Sequence, residues 1–400
     1  MTKTEKIIFS LIVLLPIIDM ITSFTVNLPL SLGALLRTGF MFFLFFYMIT
    51  YLQKESFILL SVFLLSFISI AMTLIINFML KRPFMLTDEI QFGVKTGYYI
   101  IMIFTALFIV DRRLINKGTV LHASSIAAII MGISYWIAII TKTDIPSYTY
   151  IKAGYSGWFY SANELSVIII ILLTLTIIYF HEKRTFLPLI AFSFILSMIP
   201  MIGTKTAFYG AIIIIISFFA LSIFTKQIKQ NLPLLAVTIV GILFLPLTPY
   251  MTNNKVTESP IEKTEKTEQD IKFQQMMSSR DIYLEDIKAD YLQATPIRKL
   301  VGLGYAGDYE KNPKMIEMDF FDLFFSYGII GTFIILLSLP ILLNRLLAYR
   351  RTITYLVSLL ALGLIGGISF VAGHVMFAPA VMTYVAILAI VIGLEARKPA

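Results

Sequence analysis

Residues 251–319 read MTNNKVTESPIEKTEKTEQDIKFQQMMSSRDIYLEDIKADYLQATPIRKLVGLGYAGDYEKNPKMIEMD, and residues 320–340 read FFDLFFSYGIIGTFIILLSLP. The first is the only long hydrophilic stretch in the chain. The second returns to apolar sequence with a single charge, Asp322. Outward from this junction the same apolar texture repeats to both ends, broken by short charged punctuations. The 400 residues are 58% hydrophobic and 14% charged, against about a quarter charged in soluble proteins. Runs of about 20 apolar residues are long enough as helices to cross a hydrocarbon core of about 30 Å.

About twelve such runs are predicted by this criterion. They lie near 7–26, 31–52, 57–79, 91–110, 120–141, 162–180, 186–203, 207–224, 232–250, 320–344, 353–371 and 377–395. The fold class is therefore an all-α integral membrane protein with about twelve transmembrane helices and one large extracellular loop containing an amphipathic helix. It divides into transmembrane helices over 1–250, a catalytic loop over 251–319, and a second helical set over 320–400. The least secure pair is 186–203 and 207–224, separated by Thr204-Lys205-Thr206 alone. The first run is too long for a signal-peptide core and is read as a retained span.

Charge sets orientation. The net charge is +8, but the basic residues flank spans instead of forming a stripe, which points to membrane orientation and away from nucleic acid. With Lys3 and Lys6 inside, every inside connection is basic: Lys54; Arg112, Arg113 and Lys117; Lys183 and Arg184; Lys226 and Lys229; Arg345, Arg350 and Arg351; Arg397 and Lys398. Both termini are expected in the cytoplasm and the 251–319 loop outside. The absence of cysteine excludes disulfides and thiolate chemistry within this sequence. No metal-ligand spacing is evident.

Within the loop, Asn253–Asp270 is polar and Thr-, Glu- and Lys-rich, the composition of a segment without a core. A helical pattern follows in Phe273, Met277, Leu284, Ile287 and Tyr291, with Arg280 where the apolar series expects a hydrophobe. The guanidinium either snorkels at the interface or meets an anionic ligand. The second reading is favoured because an unpaired buried guanidinium is costly. Gly302-Leu303-Gly304-Tyr305-Ala306-Gly307 lacks a strand-turn-helix context and reads as a tight turn over the membrane surface, without a phosphate role.

Several ionisable residues are expected at the outer face. Arg37, Lys95 and Lys205 join Arg280 as cations in apolar surroundings, where charge is a functional indicator, and a diphosphate would engage all four. Lys81 and Arg82 read more simply as snorkelling to headgroups. Glu317, Asp319 and Asp322 stand where the loop re-enters the membrane. A carboxylate there can serve as general base, or it can cap the helix and complement its dipole; for Asp319 the two readings are balanced. Asn163 and Glu164 open the sixth span, and His374 is the one outer-face histidine. The aromatic stretch Tyr148–Tyr160 suits either an interfacial belt or sugar stacking.

These pieces, taken in order, resemble the O-antigen ligase and O-antigen polymerase superfamily: the Asn-Glu of GWFYSANELS, the basic residue in GTKTAFYG, SSRDIYLEDI with Arg280, PIRKLVGLG, and EMDFFDLFFSYGIIG. The resemblance covers most of residues 150–335. It implies a membrane glycosyltransferase that uses a polyprenyl-diphosphate-linked oligosaccharide as donor and a growing polysaccharide or other glycan as acceptor. The setting would be the bacterial plasma membrane, with no cofactor and with room for a regulator of chain length. By that resemblance Arg280 holds the donor diphosphate, and Lys205 stands where the family usually has arginine. Glu317 occupies the position of the family's histidine base. The implied catalytic set is Glu317, Asp319 and Arg280. The implied substrate-binding set is Lys205, Arg37, Lys95, Asn163, Glu164 and His374. A polytopic transporter or flippase of lipid-linked sugars is the competing expectation, though no internal repeat supports it.

Overall fold

The computed structural model describes residues 1–26, 28, 31–148, 153–245, 280–308, 314–347, 352–373 and 375–397. Among the described residues nine α-helices precede the long hydrophilic stretch: α1 Lys3–Phe24, α2 Leu32–Glu55, α3 Phe57–Leu80, α4 Leu86–Asp111, α5 Lys117–Ile140, α6 Ala162–Lys183, α7 Phe186–Ile202, α8 Lys205–Phe224 and α9 Leu232–Phe244. After it come α10 Arg280–Gln293, α11 Pro296–Val301, α12 Asp319–Leu336, α13 Ser338–Leu346, α14 Ile353–Val371 and α15 Pro379–Ala396. Among the described residues ten helices are long and apolar enough to cross a membrane, counting α12 and α13 as one span. Two further apolar helices are shorter, and they correspond to the predicted seventh and ninth spans. Helix α7 has 17 residues, about 25 Å at 1.5 Å per residue.

Helix starts follow local chemistry. Ser31, Ser56, Asn116, Ser161, Thr204 and Thr352 each accept a backbone N–H from the first turn they precede, satisfying donors that a helix leaves orphaned. Helix α6 is apolar on every face and is enclosed by its neighbours along nearly all its length. It packs against α5, α7, α8, α14 and α15, and α4 packs against α15. Helices α1, α2 and α3 keep large apolar side chains such as Phe43, Phe46 and Phe78 on the outside.

Ion pairs join the helix ends opposite the loop. Lys117 bridges Glu182 and Glu395, Arg397 pairs with Asp111, and Glu5 accepts from Asn116. The beginning of α1 and the end of α15 therefore share one end of the bundle. The starts of α4, α6 and α15 lie at the other.

The 142–161 connection holds a small antiparallel hairpin, β1 Pro146–Tyr148 with β2 Ala153–Tyr155, fastened by the Tyr135 hydroxyl to the Tyr155 carbonyl at 2.7 Å. Its aromatic residues close over α5 and α7: Phe159 is buried, and Trp158 donates to Thr143. Arg280 is the first described residue of α10, and the earlier members of its apolar series, Phe273 and Met277, lie outside the described residues. The apolar face of α10, with Leu284, Ile287 and Tyr291, packs with Leu303, Ile316, Met318, Phe324 and Phe325.

The glycine-rich turn is a buried clasp, not a surface loop. Leu303 N–H donates to the Phe325 carbonyl at 2.8 Å and Gly304 N–H to Ser326 at 3.1 Å. Opposite them α12 breaks at Gly328, with φ 63° and ψ −168°. A Cβ on Gly302 would sit 2.0 Å from the Ser326 carbonyl oxygen, and one on Gly328 would sit 2.5 Å from the Gly302 nitrogen. Glycine at both positions lets the two backbones meet. Thr332 donates to the Leu323 carbonyl at 3.1 Å, so carbonyls freed by the break find donors, as backbone at membrane depth requires.

Candidate active site

A cavity of about 270 Å³ opens where the first turns of α4, α6 and α12 meet Tyr305, the 314–317 stretch and Phe377-Ala378. Asp88, Gln91, Phe92 and Lys95 come from α4, Glu164 from α6, Asp319 and Asp322 from α12, and Tyr305, Lys314, Met315 and Glu317 from the loop. Acids at helix starts are locally favourable because the helix dipole places partial positive charge there. That rule puts Asp88, Glu164, Asp319 and Asp322 in first turns, and the fold then brings those turns together.

The carboxylates differ in what occupies them. Asp319 is buried, and its Oδ2 accepts from Ser369 Oγ at 2.7 Å and from the Val375 and Met376 N–H groups at 2.9 Å. Asp322 accepts the Ile316 and Met318 N–H groups at 2.9 and 3.0 Å. Both therefore fasten chain segments around the cavity, and Asp319 does so across to Ser369, Val375 and Met376 while its own helix has no side-chain cap.

Glu317 is placed differently. Its backbone is left-handed, with φ 64°, a conformation unfavourable for a side-chain-bearing residue. The Gly373 backbone lies against the Glu317 carbonyl. Its side chain is 31% exposed and stands between Arg280 Nη2 at 3.5 Å and Lys314 Nζ at 3.7 Å. The Arg280 side chain is only 12% exposed, and its Nε is buried with no hydrogen-bond partner among the described residues. Among the described residues the guanidinium meets Glu317 through Nη2 while Nε, one of its donors, stays unanswered.

Of the sequence-predicted residues, Glu317, Asp319, Lys95 and Glu164 line this one cavity, and Arg280 reaches it through Glu317. Arg37 does not join them: it pairs with Asp19 and donates to Thr22 Oγ1 at 3.0 Å. Lys205 and Asn163 are exposed and do not line the cavity. His374 lies outside the described residues. Lys81, expected to snorkel, is instead 1% exposed and donates to Glu89 Oε1 at 2.6 Å and to the Tyr305 carbonyl at 2.7 Å. Burial holds its ammonium below the usual lysine value, opposed by Glu89. The acid partner eight residues on made this pairing reachable.

Sequence reasoning did not select Asp88, Gln91, Phe92, Tyr305, Lys314, Met315 or Phe377. Asp88 and Glu89 at the head of the fourth span were a legible helix-start signal. Nothing in GLGYAGD announced that Tyr305 would turn to a cavity. No group of three or more His, Asp or Glu arranged to hold a metal occurs among the described residues.

Taken together, a bundle of long apolar helices with a polar cavity at one end defines a multi-pass membrane protein. A family model described as O-antigen ligase like membrane protein matches residues 1–275 and 249–396. The chain belongs to that family, which is consistent with a membrane enzyme of polysaccharide synthesis. Comparison with curated proteins and with solved structures gives no significant match.

Proposed function

We propose that the protein is a membrane glycosyltransferase that transfers or polymerises oligosaccharide units from a polyprenyl diphosphate onto a sugar hydroxyl. The reaction would take place at the outer face of the bacterial plasma membrane. The observation that carries this reading is the pair at the cavity mouth: a nearly buried, under-satisfied Arg280 guanidinium facing a strained Glu317. An acceptor hydroxyl enters the cavity and gives its proton to Glu317 as its oxygen bonds to the anomeric carbon of the donor. The bond from that carbon to the diphosphate oxygen breaks, and the electron pair leaves with the diphosphate. Arg280 neutralises the charge that develops there, helped by Lys314 and Lys95, a role in which preorganised cations are effective. Of the expected diphosphate ligands, Arg37 is already answered by Asp19 and drops out of this assignment.

The broken helix α12 is the one feature that suits a transporter of lipid-linked sugars. Its break is pinned by the Gly302–Gly304 clasp, which fits a fixed site better than a rocking one. The deciding experiment reconstitutes the purified protein in liposomes with polyprenyl-diphosphate-linked repeat units and sizes the glycan products. A ladder means polymerisation, and a single shift on an added acceptor means ligation. Movement of lipid-linked sugar between leaflets without product would replace this reading with transport. Arg280→Ala is expected to lower turnover by roughly 10²–10³-fold at unchanged abundance, and undiminished turnover would remove Arg280 from the mechanism.

A further inference from the structure

One wall of the cavity is aromatic, and the reaction just described gives it no task. Phe92, Tyr305 and Phe377 all line the cavity. Phe92 lies 6.0 Å from the Tyr305 ring, 4.7 Å from Phe377 and 5.6 Å from Tyr327, centroid to centroid. Phe92 and Tyr327 are buried behind, while Tyr305 and Phe377 are half-buried in front. Asp88 and Gln91, from the first turns of α4, and Glu164 of α6 line the same cavity.

Holding Tyr305 in this wall requires costly local structure. Both backbone polar groups of Tyr305 are taken by one buried ion pair: its N–H donates to Glu89 Oε2 at 2.8 Å, and its carbonyl accepts from Lys81 at 2.7 Å. The next residue, Ala306, is left-handed at φ 55°. Buried ions and strained non-glycine backbone persist where the surroundings over-determine them, commonly at ligand clamps. On the far side, Arg298 fixes the same turn through Asp308 at 2.7 Å and Asn77 at 3.1 Å.

We propose that this wall, with Asp88, Gln91 and Glu164, is a binding subsite for one uncharged sugar ring, with Tyr305 as its stacking platform and Lys81–Glu89 as its positioning pair. The proposal rests on the glycosyltransferase reading and names where the acceptor glycan sits within it. An aromatic face carries negative quadrupole charge, which attracts the weakly positive axial C–H groups on the apolar face of a pyranose. Carboxylate and amide oxygens of the same cavity accept the ring hydroxyls, the few directed polar groups that orient a ligand in a mostly apolar pocket. At 270 Å³ the space is just under the roughly 300 Å³ at which pockets for larger ligands begin. It suits a single ring and leaves a diphosphate outside, at Arg280. Five carboxylates against two ammonium groups line it, so an anionic sugar is disfavoured.

Saturation-transfer NMR on the full-length protein in nanodiscs tests the subsite without turnover. The probes are methyl glycosides of neutral hexoses and N-acetylhexosamines and the matching uronates. Transfer is expected from at least one neutral glycoside, strongest to axial ring protons and weaker from its uronate. Tyr305→Phe keeps it. Tyr305→Ala weakens affinity roughly tenfold with an unchanged melting temperature, and Asp88→Asn weakens it with the ring contact retained. Equal binding by Tyr305→Ala, absence of transfer from every glycoside, or equal transfer from uronates would overturn the proposal. Sugar binding through Tyr305 in a protein that makes no product would sink the reaction and leave the subsite standing. Turnover with an acceptor KM untouched by Tyr305→Ala would sink the subsite alone.

Discussion

Glu317 and the Lys81–Glu89 pair show how local cost marks the site. Glu317 holds a left-handed backbone, where a Cβ costs on the order of 1 kcal/mol. The usual order of substitutions should therefore invert: Glu317→Gly is expected to melt above Glu317→Ala, with both inactive. Glu317→Gln should keep the fold and lose roughly 10²–10⁴-fold in turnover, the scale of a missing general base. Thermal unfolding in detergent checks the first expectation, and the liposome assay checks the second. At the Lys81–Glu89 pair, Glu89→Gln strands a buried ammonium, which costs about 3–5 kcal/mol. Lys81→Met together with Glu89→Gln leaves no buried charge and should recover most of that loss. A double variant no more stable than Glu89→Gln alone would show that the charge imbalance is not the cause.

At the scale of elements, the decisive contact is between the Gly302–Gly304 turn and the break in α12. Gly328→Ala would place a Cβ 2.6 Å from the Leu300 carbonyl carbon as well as against Gly302, on backbone only glycine adopts comfortably. Loss of folded protein in membranes is expected. Gly366, in α14, has nothing within 4 Å of a Cβ, and Gly366→Ala in a helix interior should be neutral or stabilising by about 0.5–1 kcal/mol. Fluorescence-detected size exclusion compares the two directly. The sequence made both sites look alike, as glycines among apolar residues. What separates them is the Leu300–Gly302 backbone, which the fold lays against Gly328 and not against Gly366.

At the scale of the whole molecule, orientation remains a prediction with a direct check. The cysteine-free sequence accepts single cysteines without background. A membrane-impermeant thiol reagent is expected to label Ser259→Cys from outside in intact cells and to leave Lys183→Cys and Thr225→Cys unlabelled. The reverse pattern would place the cavity on the cytoplasmic side and end the proposed reaction there.

Composition and apolar run length were enough to establish a multi-pass helical membrane protein, and Ser, Thr or Asn side chains cap seven of the described helices. Those signals are local: hydrocarbon thickness fixes span length, and orphaned N–H groups select Ser, Thr and Asn. The sequence could not say which helices face lipid, because lipid and protein core are equally apolar and leave no amphipathic stripe. Thus α6, the enclosed centre, and α3, with Phe78 outside, read the same. Nor could it distinguish Arg37, answered by Asp19 eighteen residues earlier, from Arg280, whose Nε has no partner among the described residues. A charge declares its cost in sequence but finds its partner only in three dimensions. That pairing, decided by the tertiary structure, separated cations that hold the bundle, such as Arg37 and Lys117, from Arg280, Lys314 and Lys95 around the cavity.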